Sequence, residues 1–137
     1  MIGSSAELQK LVFQTLTGNS SIMSIVGGVY DHIPSNAYGS KTAIIKIGEA
    51  DGHQEDADCA TTVETTFTIH IFSIAVGKVE CRKLMDLVRK AFNQQNLSLS
   101  ENALIDQRIS LYRDFTDSDG ATQHGVVAVT FLVEEPA

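Results

Sequence analysis

The sequence predicts an α+β domain: a mostly antiparallel β-sheet with two main helices packed on one face. Three patterns predict it. Val63, Thr65, Phe67, Ile69 and Ile71 alternate with Glu64, Thr66, Thr68 and His70, the period of two that marks a strand with one core face. Two other segments, Leu8 to Leu16 and Cys81 to Phe92, place apolar residues at helical spacing. Near the C-terminus, Asp119-Gly120 sits between two strand patterns, a hairpin signal because glycine accepts the positive φ of a tight turn. Strands joined by turns, with only two substantial helices, favour antiparallel pairing and helices gathered on one side.

Taken in order, "SSAELQKLVFQTLTG" reads as a helix with marked ends. Ser4 and Glu7 fit a capping box, Leu8, Leu11, Val12 and Leu16 form one stripe, and Gly18 is a natural stop. A shorter helix follows, capped by Asn19 or Ser20 and buried through Ile22, Met23, Ile25 and Val26, with Gly27-Gly28 as a break. "VYDHIP" reads as an edge strand closed by Pro34, and "TAIIKIGEA" as a second strand. Glu49 to Ala60 has five acids and almost nothing to bury, so a mobile, solvated loop is expected over 49–60. After the alternating strand, "VGKVECRKLMDLVRKAF" places Cys81, Leu84, Met85, Val88, Ala91 and Phe92 on one helical face, with Arg89 and Lys90 suiting the negative end of the helix dipole. A polar link, "NQQNLSLSEN", leads to a strand from Leu104 to Asp114 with Ile105, Ile109 and Leu111 on one side. A turn at "TDSDGA" then precedes the last strand, Thr122 to Val133. The order is α, short α, β, β, β, α, β, β, and with no repeat or linker a single domain over 1–137 is expected.

The totals exclude several classes. At 137 residues, 43% hydrophobic and 20% charged, the chain has the make-up of one globular domain. No apolar run approaches the length that spans a bilayer, so no membrane partner is expected. The opening "MIGSSAELQK" lacks a basic segment followed by an apolar core, so no secretion signal is expected. Seventeen acids against ten bases give a net charge of −7, which argues against direct sequence-specific nucleic-acid binding. Cys59 and Cys81 lie far apart without a CxxC spacing and read as reduced thiols.

Each cluster that could carry chemistry also has a plainer reading. Asp117, Asp119 and Gly120 resemble part of a calcium loop, but the next acid is Glu134, too far on to supply the bidentate ligand. They read instead as a hairpin tip. His124 shares a strand face with Thr122, Val126 and Ala128 and has no partner at catalytic spacing. His53-Gln54-Glu55 matches half of a deaminase zinc signature, but P-C-x-x-C is missing. Cys81 lies on an apolar helix face, G-x-S-x-G is absent, and "GGVYDH" lacks phosphate-loop spacing. No catalytic, metal-binding or cofactor-binding residue is expected. One feature exceeds these plain readings. Val127, Val129, Phe131 and Val133 occupy one side of the last strand, while Val126, Ala128 and Leu132 make the other side apolar too. Two modest helices shield only one face of a sheet, so Val126, Ala128 and Leu132, with outward-facing His70, form a candidate oligomer interface. The competing expectation is that the short helix folds back over them.

In their order, "LQKLVFQTL", "IVGGVYDHIP", "FTIHIFS", "GKVECRKLMDLVRKAF" and "ISLYRDFTDSDGATQHGVVAVTF" resemble the tail-completion or tail-terminator proteins of long-tailed bacteriophages, prophages and gene transfer agents. The resemblance covers nearly the whole chain. "GGVYDHIP" and the D-x-D-G…H-G-V hairpin are its most specific parts, and Glu49 to Ala60 matches least. It implies a tail-terminator-like α+β fold and a non-enzymatic virion protein with no catalytic residues. Such proteins form a homo-oligomeric ring, typically a hexamer, at the head-proximal end of the tail. The ring caps the tail tube, ends its polymerisation and joins it to the head connector. The implied partners are further copies of the chain, the tail tube protein and the head-connector or stopper protein, with assembly in the cytoplasm of a bacterial host. A closed ring uses head-to-tail contacts, which suits a strand whose second face needs cover. The alternatives are a head-completion stopper or minor tail protein, or a small metal-dependent enzyme using His53, Glu55, Asp58 and Cys59.

Overall fold

The computed structural model describes residues 3–94 and 96–136; Met1, Ile2, Gln95 of the polar link and Ala137 lie outside them. The elements are α1 (Ser5–Thr17), α2 (Ser20–Met23), β1 (Val26–Tyr30), β2 (Ala43–Asp56), β3 (Ala60–Ser73), α3 (Val79–Phe92), β4 (Ala103–Thr116) and β5 (Gln123–Pro136). Their order is the expected one. They build a five-stranded sheet in the order β1-β2-β3-β5-β4. Only β1 and β2 run parallel, joined by the crossover 31–42; the other pairs are antiparallel.

One face of this sheet is the core. Val127, Val129, Phe131 and Val133 of β5 cluster with Phe67, Ile69 and Ile71 of β3 and with Ala43, Ile45 and Ile47 of β2. Against them pack Leu8, Val12 and Leu16 of α1, Ile22 of α2, and the six α3 residues Cys81, Leu84, Met85, Val88, Ala91 and Phe92. Each large apolar side chain buried here is worth roughly 1.5–3 kcal/mol relative to exposure, so α3 is held by its stripe. Arg82 donates to Asp114 at 2.9 Å, and Arg89 lies 4.2 Å over the Tyr112 ring, tying α3 to β4 at its rim. The short helix α2 belongs to this layer, so it does not fold over the far side of the sheet.

Four local expectations need correction. The segment 49–60 is not a loop: β2 runs to Asp56 and β3 begins at Ala60, with an Ala57 N–H to Ala60 carbonyl bond of 2.9 Å closing the turn. Strand pairing here, from Asp51 opposite Thr66 to Asp56 opposite Thr61, is carried by backbone groups, with the Asp56 carboxylate also accepting from the Thr61 hydroxyl at 3.0 Å, so exposed acidic side chains do not prevent it. The capping box does not form either. The Ser4 hydroxyl donates to Glu135 Oε2 at 2.6 Å, and Glu7 accepts from Ser100, the Glu101 N–H and Asn102. Long-range partners have taken both side chains. Ile105, Ile109 and Leu111 do not share a side, because register shifts between Leu104 and Asp106 and between Ile109 and Leu111 break the alternation. Ile109 packs on the core, whereas Ile105 and Leu111 are exposed. Finally, β1 includes Gly27 and Gly28; the expected break is a strand, pinned by the Tyr30 hydroxyl donating to the Ala37 carbonyl at 2.8 Å.

Candidate functional site

Opposite the helices the sheet presents a second, mixed face. Cross-strand registers place Thr66, Thr68, His70 and Phe72 of β3 beside Thr130, Ala128, Val126 and His124 of β5. On the other side of β5 stand Leu111, Arg113 and Phe115 of β4. Val126, Ala128 and Leu132 lie outside the core cluster, as an outward face requires. Val126, Leu132 and His70 are half-buried, while Ala128 is only 7% exposed. A small side chain between Thr68 and Leu111, its register neighbours, is screened by them without another layer. The face is therefore less greasy than β5 alone predicts, because its neighbours contribute threonines, histidine and arginine. Thr66 and Thr130 share a hydrogen bond of 2.8 Å, and Thr130 donates to Ser110 at 3.0 Å, forming a polar ladder across three strands. One corner is covered by the chain itself: the backbone of Ala37 and Tyr38 lies against Gly27, and neighbouring Ile44 is 2% exposed.

The two outward histidines meet at the end of this face near the hairpin. His70 Nδ1 lies 2.8 Å from His124 Nε2. The remaining ring nitrogens each reach a carboxylate: His70 Nε2 to Glu49 Oε1 at 3.0 Å, and His124 Nδ1 to Asp117 Oδ1 at 2.9 Å. Phe72 and Phe115 flank His124, with ring centroids 4.4 and 4.7 Å away. The hydrogen bond from His70 and the backbone hold the Glu49 carboxyl below its ordinary range. A register shift between Ile47 and Ala50 places Gly48 and Glu49 in a bulge, a feature that re-aims side chains. Gly48 is where the His70 ring sits: a Cβ there would come within 2.6 Å of His70 Cδ2. Sequence reading placed Glu49 in a loop and missed it as a partner; a glycine inside a strand pattern was the available signal.

The turn between β4 and β5 runs from Asp117 to Thr122. Gly120 takes φ +75°, its N–H donates to the Asp117 carbonyl at 2.9 Å, and Asp117 N–H donates to the Thr122 carbonyl at 2.8 Å. Asp119 accepts from the Thr122 hydroxyl and from the N–H groups of Thr122 and Ala121, which pulls its carboxyl down to about 2. His53, Glu55, Asp58 and Cys59 do not converge with one another; among the described residues no three His, Cys, Asp or Glu side chains are grouped to hold a metal. Cys81 is fully buried, and burial followed by Asp114 raises its thiol to about 11, so it packs rather than attacks. A concavity of about 290 Å³ lined by Glu7, Lys10, Leu11, Gln14 and Ser98 to Ser100 shares no residue with the histidine chain.

This is the geometry of an α+β sheet with one helix-covered face and one outward face. A family model described as "Tail completion protein gp17" matches residues 10–134, and the chain belongs to that family of phage tail-completion proteins, which are structural. A search of curated proteins finds no match. Two of the solved structures that share the fold are these. A chain from the virion of a native gene transfer agent particle is similar at a TM-score of 0.87 and 18% identity, covering 98% of this chain and 99% of that one. The gp17 protein of bacteriophage SPP1 is similar at a TM-score of 0.62 and 21% identity, covering 93% and 89%.

Proposed function

We propose that this chain is a ring-forming tail terminator: several copies, six by expectation, close at the head-proximal end of a tail tube, stop its growth and join it to the head connector. The observation that carries this reading is the outward sheet face, where half-buried Val126 and Leu132 lie along β5 and Leu111, 52% exposed, stands opposite Ala128. It borders β4, a 14-residue strand at the end of the sheet order with no strand on its outer edge among the described residues. Such an edge invites another chain unless something blunts it. The opposite end differs in character. β1 is short and covers β2 only to Lys46, leaving the acidic stretch with Asp51, Glu55 and Asp56 open, whereas β4 balances Arg108 and Arg113 with Asp106 and Asp114. Two different surfaces, one meeting the other on the next copy, are what a head-to-tail ring requires. A net charge of −7 also suits a channel through which DNA slides without sticking. The family match and the virion origin of a chain with the same fold support a place in the particle, assembled in the cytoplasm of a bacterial host. This reading gives the chain no catalytic role.

The test is electron microscopy of particles produced without this protein. Tails of uncontrolled length, or tails detached from heads, are expected. Particles of normal length and infectivity would overturn the proposal.

A further inference from the structure

The chain Glu49–His70–His124–Asp117 contains three hydrogen bonds made by four imidazole nitrogens and two carboxylates. Ionised carboxylates only accept, so each outer bond needs an N–H from its histidine, and the central bond needs one more. That is three N–H hydrogens. Two neutral imidazoles carry two, a pair with one extra proton carries three, and two imidazolium rings carry four. Only the singly charged pair completes all three bonds. With one proton fewer, one link opens. With one more, two N–H groups face each other across 2.8 Å and the rings part, each keeping its own carboxylate.

We propose that these four residues form a one-proton latch that fastens β2, β3, β5 and the hairpin tip across the outward face and opens when a proton is gained or lost. The latch belongs to the isolated chain and does not depend on the ring. A proton, rather than a metal ion, fits between the rings. Two ligand nitrogens at 2.0–2.1 Å on one tetrahedral ion would stand roughly 3.3 Å apart, wider than the 2.8 Å found here. The setting is partly dry: the His70 and His124 side chains are 19% and 14% exposed, and the Phe72 ring stacks on His70 at a 16° interplanar angle. Other groups face the pair from each neighbouring segment. Lys46 of β2 stands opposite His70 in register, Arg113 of β4 lies 5.2 Å over Phe115, and Asp119 adds a negative charge at the tip. The Tyr38 phenol of the crossover is pushed above its ordinary range by burial and by Asp117 and Asp119. The net field is mixed, and the proton count in the chain of hydrogen bonds decides the state.

The experiment is ring-nitrogen NMR of the full chain from about pH 4 to about pH 9, spanning the histidine range. Coupled sites lose their protons in macroscopic steps that belong to the pair. The expected result is two separated steps, with signals of both His70 and His124 moving in each, and a plateau between them at which three N–H are held. Single, independent steps for the two rings would overturn the latch. Gly48→Ala keeps every titrating group but crowds the His70 ring, and it should abolish the plateau; an unchanged plateau in the folded variant overturns the proposal. If that variant does not fold, His124→Gln replaces it: His70 should then show one step, and an unaltered His70 titration overturns the proposal equally.

Discussion

Asp119 shows how a single side chain ties folding to pH. Both its oxygens accept hydrogen bonds within the turn, with Asp119 Oδ2 2.6 Å from the Thr122 hydroxyl, and its carboxyl sits at about 2 against an ordinary 3.8. Between those values the unfolded chain binds the proton that the folded chain refuses, so stability rises with pH there. The contribution is complete above about pH 4 and is lost as pH falls toward 2. Asp119→Ala is therefore expected to lower the urea midpoint at neutral pH and to flatten its fall through that acid window. An acid limb as steep as in the parent chain would show that the turn draws nothing from this charge. Glu7 acts in the same direction: burial opposes its ionisation, but hydrogen bonds from Glu101, Asn102 and Ser100 prevail and lower it. Glu135 differs in kind. It is 8% exposed and binds both the N–H and the hydroxyl of Ser4, so it supplies from 131 positions away the cap that Glu7 was expected to provide.

At the scale of elements, β2 is the least conventional strand. Its first half is buried and its second half is wholly exposed, yet both pair with β3 in a ladder interrupted only at the Gly48-Glu49 bulge. Beyond Lys46 no strand lies on its outer edge among the described residues. Amide exchange over 50–56 is therefore expected to alternate: N–H groups aimed at β3 protected, those aimed outward exchanging fast. Uniform protection would mean that a neighbour covers the edge, and uniform fast exchange would restore the mobile loop that composition predicts. The helices and most strands were legible because side chains announce them, as the α3 stripe does from Cys81 to Phe92. What escaped was set by backbone or by distance. Residues 49–56 pair without large apolar side chains, and the irregularity between Ile109 and Leu111 silently flips Leu111. The hydrogen-bonded histidines lie 54 positions apart, and no local spacing links them. His70, Val126, Ala128 and Leu132 were legible as one outward set because they obey simple alternation.

For the whole molecule, the two faces of the sheet make opposite demands on mutation. Phe131 is fully buried and packs edge-on against both Phe67 and Phe92. Removing such a ring costs about 3–5 kcal/mol wherever the chain resides. Leu111 and half-buried Val126 lie on the other face; at Leu111, 52% exposed, a charge meets water in a monomer, so its effect on folding should stay within about 0.5 kcal/mol. In a ring the same charge would be driven into a desolvated contact, where an unpaired charge is costly. Leu111→Asp is thus expected to melt near the parent temperature, and both it and the more sheltered Val126→Asp to fail to form rings by native mass spectrometry and to leave tails unterminated. Rings of normal mass from both variants would move the contact surface off this face. Loss of folding in Leu111→Asp would instead show that the exposed face already carries the monomer's stability.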